Sequence, residues 1–243
     1  MNTPSSRTAL VTGGAKRLGR LLSLALAEDG WDIALHCNRS RAEAETVCGE
    51  ICNLGQRCTI HTADLRDDDD LADLVPEVAE EHPKLALLVN NASTYAPSTI
   101  METDLELFQS QFDVNFKAPF FLSRDFRNHV PQGHIINLLD TRITSHRKHQ
   151  YAAYTLAKKA LAALTTMAAV EFAPEIRVNG IALGPVIAPP DEADAYLEHA
   201  AQRTPLLRPG SPEPVIDTLR FLLSNDHLTG QIIFCDGGEN LLG

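Results

Sequence analysis

The sequence predicts an α/β protein built on one doubly wound, seven-stranded parallel sheet with helices on both faces. Three observations support this fold class. Short apolar runs alternate with amphipathic stretches along the whole chain, no Gly/Ser/Pro-rich or low-complexity stretch divides it, and 243 residues suffice for a well-buried core. We therefore expect residues 1–243 to form a single domain.

Seven runs have the short, apolar character of buried strands. They are Thr8–Thr12, Asp32–Cys37, Arg57–Thr62, Ala86–Asn90, His134–Leu139, Arg177–Ala182 and Gln231–Cys235. Seven other stretches have helical spacing of apolar residues. They are Leu18–Asp29, Arg41–Leu54, Asp67–Glu81, Asp104–Asn128, Tyr151–Phe172, Pro190–Gln202 and Pro212–Leu223. In such a sheet ligands bind beyond the carboxyl ends of the strands, so the residues after each strand are the functional candidates.

Charged runs accompany two of the predicted helices. Asp67 and Asp104 are typical N-caps, and we interpret the run Asp67–Asp70 as carboxylates placed at the positive end of a helix dipole. The basic run His146–His149 precedes the helix that begins at Tyr151. It is interpreted as a solvated loop, with contact to an anionic substrate as the alternative.

Composition excludes several classes of partner. The formal net charge of −11 and a pI near 5.2 disfavour nucleic acid and anionic membranes, and no apolar run is long enough to span a bilayer. We expect a soluble cytoplasmic protein. The five cysteines are an odd number without paired metal spacing, so no metal site is expected, and Cys48 and Cys52 are interpreted as reduced residues that pack on a helix.

A glycine-rich turn follows the first strand and opens a helix. It reads Thr12-Gly13-Gly14-Ala15-Lys16-Arg17-Leu18-Gly19. Glycines permit a tight turn and close backbone approach, and the free amides of the helix can receive a pyrophosphate. Arg17 stands where the dinucleotide fingerprint could have a middle glycine. We expect Gly13, Arg17 and Leu18 to contact a dinucleotide.

The end of the second strand predicts which dinucleotide is bound. An acid there would accept from the ribose of NAD, whereas this chain has His36, Asn38, Arg39 and Ser40. Arg39, together with Ser40, His36 and Arg17, offers donors and positive charge for a phosphate dianion. NADP(H) is therefore the expected cofactor, and a surface arginine that opens a helix is the alternative.

The third and fourth strands end in further candidates. Asp64 and Leu65 follow the third strand, where the carboxylate can accept from an adenine amino group. Asn91, Ala92 and Ser93 follow the fourth, where small residues let a ribose lie against the backbone. Turn chemistry alone is the alternative for each.

Tyr154 and Lys158 lie four residues apart after the fifth strand. On a helix this spacing places the phenol and the ammonium on one face, where the positive charge would lower the tyrosine pKa from its usual value of about 10. The pair is then a proton donor near neutral pH. An ordinary exposed contact is the alternative.

These features together resemble the short-chain dehydrogenase/reductase family along essentially the whole chain. The matching motifs are the Thr-Gly start, Asn90-Asn91-Ala92, Asn115, Tyr154-x-x-x-Lys158, Arg177-Val178-Asn179 and Asp236-Gly237-Gly238. The resemblance implies a Rossmann fold, Tyr154 as the acid, Lys158 on the nicotinamide ribose, Asn115 holding a relay water, and Gly184 near the cofactor. It also implies a homotetramer whose helices Asp104–Asn128 and Tyr151–Phe172 pack against partner subunits.

Several of the same motifs are similar to those of the pteridine reductase branch, which includes bacterial dihydromonapterin reductase. They are Thr12–Gly19, Leu35–Ser40, Asn91–Tyr95 and Tyr151–Lys158. This resemblance implies that Tyr95 stacks on a pterin, that Ser93 touches cofactor and substrate, and that Arg17 reaches both phosphate and pterin. The nicotinamide would then cover the other face of the ring.

Asp140 stands where most of the wider family has a serine near the substrate carbonyl. A carboxylate would repel the oxyanion that forms when hydride reaches a ketone. It suits reduction of a ring C=N, because an Asp140–Tyr154–Lys158 relay can protonate the nitrogen and accept ring N–H bonds. The alternative is that Asp140 caps the turn after the fifth strand.

The segment after the sixth strand departs from the family. Leu183-Gly184-Pro185 replaces the usual Pro-Gly and precedes a substrate lid expected over residues 186–203. We predict an NADPH-dependent reductase of a dihydropterin or dihydrofolate-like ring. The alternatives are a reductase or dehydrogenase of a small carbonyl or alcohol, and a regulator that binds NADPH without chemistry.

Overall fold

The computed structural model describes residues 7–145, 150–189 and 195–242. Within these residues the predicted parallel sheet is confirmed, with strand order β3-β2-β1-β4-β5-β6-β7. The strands are β1 Thr8–Val11, β2 Asp32–Cys37, β3 Cys58–Thr62, β4 Leu85–Asn90, β5 Gly133–Asp140, β6 Ile176–Leu183 and β7 Ile232–Cys235. The predicted strand ends agree with these bounds to within one residue.

Eight α-helices accompany the sheet within the described ranges. They are α1 Arg17–Glu28, α2 Arg41–Asn53, α3 Asp68–Glu81, α4 Leu105–Phe112, α5 Ala118–His129, α6 Ala152–Glu171, α7 Ala195–Ala201 and α8 Glu213–Ser224. Alternation along the strands divides the core between the two faces. In β1, for example, Val11 belongs to the apolar cluster that includes residues of α1, α2 and α8, whereas Leu10 belongs to the cluster that includes residues of α3, α5 and α6. Both faces of the sheet are therefore buried, which explains the continuous apolar strands.

The strand order reverses between β1 and β4, which pair in parallel with Val11 beside Val89. At such a switch point the connections leave the sheet in opposite directions and open a crevice at the carboxyl ends of the strands. The glycine-rich turn after β1 and the segment Asn91–Ser93 after β4 flank this crevice. The fold thus places the predicted cofactor residues at one edge of the sheet.

The single helix predicted over Asp104–Asn128 is divided in the structure. A π-helical turn, Asp113–Lys117, separates α4 from α5. Within it the Asn115 side-chain amide donates to the carbonyl oxygens of Gln111 and Thr94, each at 2.9 Å, so a side chain takes an acceptor that a regular helix would give to a backbone amide. Apolar spacing alone cannot reveal this substitution.

The predicted caps are confirmed. The Asp67 carboxylate accepts from the backbone amides of Asp69 and Asp70, and Asp104 accepts from the amide of Leu107. The basic run 146–149 lies outside the described residues. So does the start of the predicted lid helix, residues 190–194, and α7 is the part of that helix that is described.

The expectation that Cys48 is reduced is wrong in this structure. A disulfide joins Cys48 on α2 to Cys58 on β3, whereas Cys52 is a free, exposed thiol. The spacing of Cys48 and Cys52 indicated only a contact within one helix. The disulfide partner of Cys48, Cys58, instead lies on the adjacent strand. Among the described helices, none combines the length and apolar character needed to cross a membrane.

Candidate active site

A cavity of about 640 Å³ opens at the carboxyl ends of the strands around the switch point. The predicted residues that line it are Gly13, Arg17, Leu18, His36, Asn38, Arg39, Ser40, Asp64, Leu65, Asn91, Ala92, Ser93, Tyr154 and Lys158. Gly184 does not line it. The Gly184 amide donates to the Cys235 carbonyl at 3.1 Å, and the preceding residue, Leu183, reaches the cavity instead.

The glycine-rich turn approaches the β4 segment too closely for larger residues. Gly13 has a φ of +61°, and a Cβ there would lie 3.1 Å from the Cα of Ala92, while a Cβ on Gly19 would overlap the carbonyl oxygen of Gly13. Arg17 also adopts a left-handed conformation, with a φ of +49°. Arg17 therefore has the left-handed backbone conformation that glycine adopts readily. Holding a residue with a side chain in that conformation costs about 1–2 kcal/mol.

The Arg17 side chain connects the turn to the predicted lid. Its guanidinium donates to the carbonyl oxygens of Ala188 at 3.1 Å and Ile187 at 3.3 Å. These backbone acceptors come from the segment after β6. Arg17 therefore lies between the phosphate end of the cavity and the lid, where a contact with both cofactor and substrate is possible.

His36 lines the cavity, but protein groups engage both of its ring nitrogens, so it is not one of the uncommitted donors expected around Arg39. The Gly13 amide donates to His36 Nδ1 at 3.1 Å, so Nε2 carries the proton and donates to the Ala63 carbonyl at 3.0 Å. Burial lowers the His36 pKa to about 4. His36 is therefore neutral at physiological pH. It holds the glycine turn in place through its hydrogen bond with the Gly13 amide and offers no positive charge to a phosphate.

Arg39 is the better candidate for a phosphate contact. It is exposed at the cavity rim, and within the described residues it has neither a hydrogen-bond nor an ion-pair partner. Ser40 precedes α2 without forming a side-chain cap. Within the described residues, the guanidinium and the Ser40 hydroxyl are thus uncommitted donors close to one another.

Asp64 and Asn91 are engaged with other protein groups. Arg66 donates to both oxygens of the Asp64 carboxylate, at 3.0 and 2.6 Å, and this guanidinium holds the pKa of Asp64 well below its usual range. The Asn91 amide donates to the carbonyl oxygens of Thr12 and Gly13 at 2.8 and 3.2 Å. Asp64 therefore lines the cavity as an ionised carboxylate, and Asn91 holds the glycine turn against β4.

Tyr154 does not have the lowered pKa that its spacing from Lys158 predicts. Its hydroxyl donates to Asp140 Oδ2 at 3.0 Å, and burial together with this carboxylate raises the pKa of Tyr154 well above its usual value. Burial lowers the pKa of Lys158 to about 8, and its ammonium donates to the Leu138 carbonyl at 2.8 Å. The prediction is wrong because desolvation and a nearby anion outweigh the ammonium. Tyr154 is held as a protonated phenol.

The interpretation of Asp140 as a cap is confirmed, while its role in a proton relay stays a prediction. Asp140 Oδ1 accepts from the Arg142 amide at 2.8 Å and so caps the 3₁₀ turn Thr141–Thr144, while Oδ2 accepts from the Tyr154 hydroxyl. The Arg142 guanidinium lies 3.9 Å from Oδ2. The cap fixes the carboxylate in the orientation that reaches the phenol.

Tyr95 is stacked, but on a protein side chain. Its ring lies 4.1 Å from that of Tyr151 at an interplanar angle of 10°, and its hydroxyl accepts from Arg142 at 2.7 Å. Tyr154 meets it edge-on at 4.8 Å. Tyr151 thus occupies one stacking face of Tyr95, and Tyr95 itself does not line the cavity. A heterocycle bound there must use the other face or displace Tyr151.

Asn115 and Ser93 form a bonded pair beside the cavity. The Ser93 hydroxyl donates to Asn115 Oδ1 at 2.6 Å, and Asn115 is fully buried. All three polar positions of the Asn115 side chain are therefore engaged by protein groups. The water relay to Lys158 stays a prediction.

The sequence interpretation missed Arg142 and Tyr151. Arg142 lies over both tyrosine rings, 5.5 Å from the Tyr95 centroid and 5.3 Å from that of Tyr151. Arg142 lies two residues after Asp140, and Tyr151 lies three before Tyr154. The sequence signals were this proximity and, for Tyr151, its place in the motif Tyr151–Lys158, whereas the clustering itself depends on the fold.

Comparison with known proteins agrees with this architecture. Residues 13–240 match the family model described as enoyl-(acyl carrier protein) reductase. The chain is 31% identical to pteridine reductase 1 of Leishmania tarentolae, over 98% of each sequence, and 30% identical to the 3-oxoacyl-[acyl-carrier-protein] reductase FabG of Staphylococcus aureus, over 96% of this chain and 98% of that one.

A solved structure gives a similar result. FolM alternative dihydrofolate reductase 1 from Brucella canis, complexed with NADP, superposes with a TM-score of 0.89 at 35% identity, over 97% of this chain and 94% of that one. The chain belongs to the short-chain dehydrogenase/reductase family and is an oxidoreductase of that type. Within the family it is similar to the pteridine reductase branch.

Proposed function

We propose that this protein is an NADPH-dependent reductase of a pterin, a dihydropterin or dihydrofolate-like ring. The observation that carries the proposal is the partly buried hydrogen bond from Tyr154 to Asp140, at one end of a cavity whose other end offers Arg39, which has no partner among the described residues. The first provides a protonated acid beside a carboxylate. The second provides charge suited to a phosphorylated dinucleotide.

The donor set fits NADPH better than NADH. Among the described residues the side chains of Arg39 and Ser40, after β2, have no hydrogen-bond partner, and the sequence at that strand end lacks the acid that would repel an extra phosphate. Gly13, in the turn that opens α1, lines the cavity where a pyrophosphate would bind, and Lys158 lines the opposite part, where it can donate to a ribose. When bound, the reduced nicotinamide supplies the hydride.

Tyr154 then supplies the proton. A ring nitrogen whose C=N carbon accepts hydride gains an electron pair and becomes a strong base, which can take a proton even from a phenol with a raised pKa. The phenolate left behind is stabilised by Lys158, whose ammonium lies 5.9 Å from the ring centroid. Asp140 can accept N–H bonds from an aminopyrimidine ring, and relayed solvent protons restore Tyr154.

The same geometry disfavours alcohol oxidation. That direction requires a phenolate base, and the pair holds the phenol protonated. It also disfavours plain ketones, because the Asp140 carboxylate would lie next to the growing oxyanion. Similarity to FabG nevertheless makes reduction of a small carbonyl compound the second candidate.

A substrate panel separates the two candidates. Purified protein is assayed for NADPH consumption with dihydrobiopterin, dihydromonapterin and dihydrofolate against a set of ketones and 3-oxoacyl thioesters. We expect turnover with at least one pterin and a fall of about 10²–10⁴-fold in Tyr154→Phe, with NADPH binding retained. Turnover confined to carbonyl compounds would refute the pterin assignment. Binding of NADPH with no oxidation on any substrate would favour a regulator.

We also propose that the protein is a homotetramer. Apolar side chains lie exposed along α4 and α6, including Leu105, Phe108 and Leu156, which are 70%, 40% and 49% exposed and share one shallow groove. Such a surface is typical of an interface between subunits. Size-exclusion chromatography with light scattering gives the subunit number directly.

A further inference from the structure

A cluster of metal-ligating side chains lies outside the candidate active site. One nitrogen of His61, one of His82 and a carboxylate oxygen of Glu81 all lie within 4.8 Å of one another. His61 is on the edge strand β3, and Glu81 and His82 are at the end of α3. None of the three lines the active-site cavity.

The two imidazoles converge on one point. The Thr59 hydroxyl lies 2.9 Å from His61 Nε2 and 2.8 Å from His82 Nε2, so both nitrogens are directed at one point, from which a bound ion would displace this hydroxyl. Glu81 Oε2 lies 3.7 Å from His61 Nε2, close to the separation between two ligands of a tetrahedral zinc ion.

Neighbouring groups orient two of these ligands. Arg57 donates to Glu81 Oε1 at 2.6 Å, which leaves Oε2 directed towards His61. His82 Nδ1 lies 3.4 Å from the Thr8 hydroxyl, which can accept a hydrogen bond from the Nδ1–H group when Nε2 is bound to a metal. Outer partners of this kind set the tautomer and orientation of metal ligands in proteins.

We propose that His61, Glu81 and His82 form a binding site for a divalent transition-metal ion of the zinc class. Two imidazoles and one carboxylate suit Zn²⁺, Co²⁺, Ni²⁺ or Cu²⁺ and not Mg²⁺ or Ca²⁺, which prefer more oxygen ligands. Three protein ligands leave a fourth position for water, and Glu81 is exposed, which provides an entry path.

The ion would join the edge strand to the end of α3. His61 lies beside His36 in the register of β2 and β3, and His36 supports the glycine turn. The proposed site thus lies on the face of the sheet covered by α3, next to the support of the cofactor loop. Its test does not depend on the substrate of the enzyme.

Isothermal titration calorimetry, in which Zn²⁺ is added to the full chain after treatment with a chelator, tests the proposal. We expect one equivalent to bind and Mg²⁺ to show no binding at the same concentration. Glu81→Gln, a conservative change at an exposed position, and His82→Gln should each weaken Zn²⁺ binding by more than the roughly 10–100-fold that loss of an outer partner costs. His227→Gln, at an exposed histidine elsewhere, is the matched control and should leave binding unchanged.

Visible absorption of the Co²⁺ form distinguishes these ligands from the free thiols. We expect tetrahedral d–d bands without the charge-transfer band of a Co²⁺–thiolate bond. The absence of Zn²⁺ binding, equal affinity in Glu81→Gln, or a thiolate band would each overturn the site. If His82→Gln fails to fold, Glu81→Gln decides alone, because its side chain lies at the surface.

Discussion

The two ends of the active-site cavity differ in how far their side chains depend on each other. At the cofactor end, each strand contributes its own residues, and Arg39 and Ser40 remain unpartnered among the described residues. At the reacting end, Asp140, Tyr154 and Arg142 bond to one another or to Tyr95. The contribution of Arg39 or Ser40 to cofactor binding can therefore be tested by a change at that residue alone. At the reacting end, a change at one residue also removes a hydrogen-bond partner of another.

The strongest test of this contrast is Asp140→Ser. Loss of the carboxylate removes the acceptor for Tyr154 and for ring N–H groups, so we expect pterin reduction to fall by about 100-fold in kcat/KM. Ketone reduction should fall less, because the repulsion of an oxyanion is also removed. Comparison of the two substrates in one preparation is the measurement. Equal losses would assign Asp140 a purely structural role as a cap.

At the cofactor end, Arg39→Asp should change specificity without changing chemistry. It replaces a cation with a carboxylate, and a charged hydrogen bond contributes about 1.5–3 kcal/mol, so NADPH affinity should fall by about 10–100-fold. NADH affinity is the internal control and should change little. Arg39→Gln should give an intermediate loss. Parallel losses of both nucleotides would contradict the assignment of the phosphate site.

The protonation of Lys158, at the reacting end, makes the free energy of unfolding depend on pH. Its pKa is about 8 in the folded protein against 10.5 for a free lysine, so between these values the unfolded chain binds more protons and stability from this residue rises with pH. Below pH 8 the buried ammonium costs about 3 kcal/mol. Urea unfolding of wild type and Lys158→Met at pH 7 and 9.5 measures this. The stability difference between the two proteins should narrow at the higher pH, and a pH-independent difference would rule out the shift.

The smallest expected effect concerns the backbone of Arg17. Glycine tolerates the left-handed conformation, so Arg17→Gly should raise the free energy of unfolding by up to about 1 kcal/mol even though it removes two exposed hydrogen bonds to the lid. Arg20→Gly, within helix α1, is the matched control and should lower stability by about 1 kcal/mol. Chemical denaturation compares the two. Equal destabilisation would show that the φ at position 17 carries no cost.

The architecture could be predicted well because its signals are local. Strand ends agreed to within one residue, since buried parallel strands are continuous apolar runs bounded by turn residues. The division of the helix at Asn115 could not be predicted, because it depends on a side-chain amide that meets Thr94 from another segment. The partner of Cys48 was missed for the same reason, since Cys58 lies on a different element.

The sequence by itself determined the order of elements and the residue types at each strand end, because hydrophobic spacing and turn propensity act between near neighbours. Only the tertiary structure decided the charge states and pairings of those residues. His36 is neutral because it is buried between Gly13 and Ala63, and Tyr154 is protonated because folding places it against Asp140 away from water. A pKa depends on desolvation and on charges from distant segments, and neither exists before the chain folds.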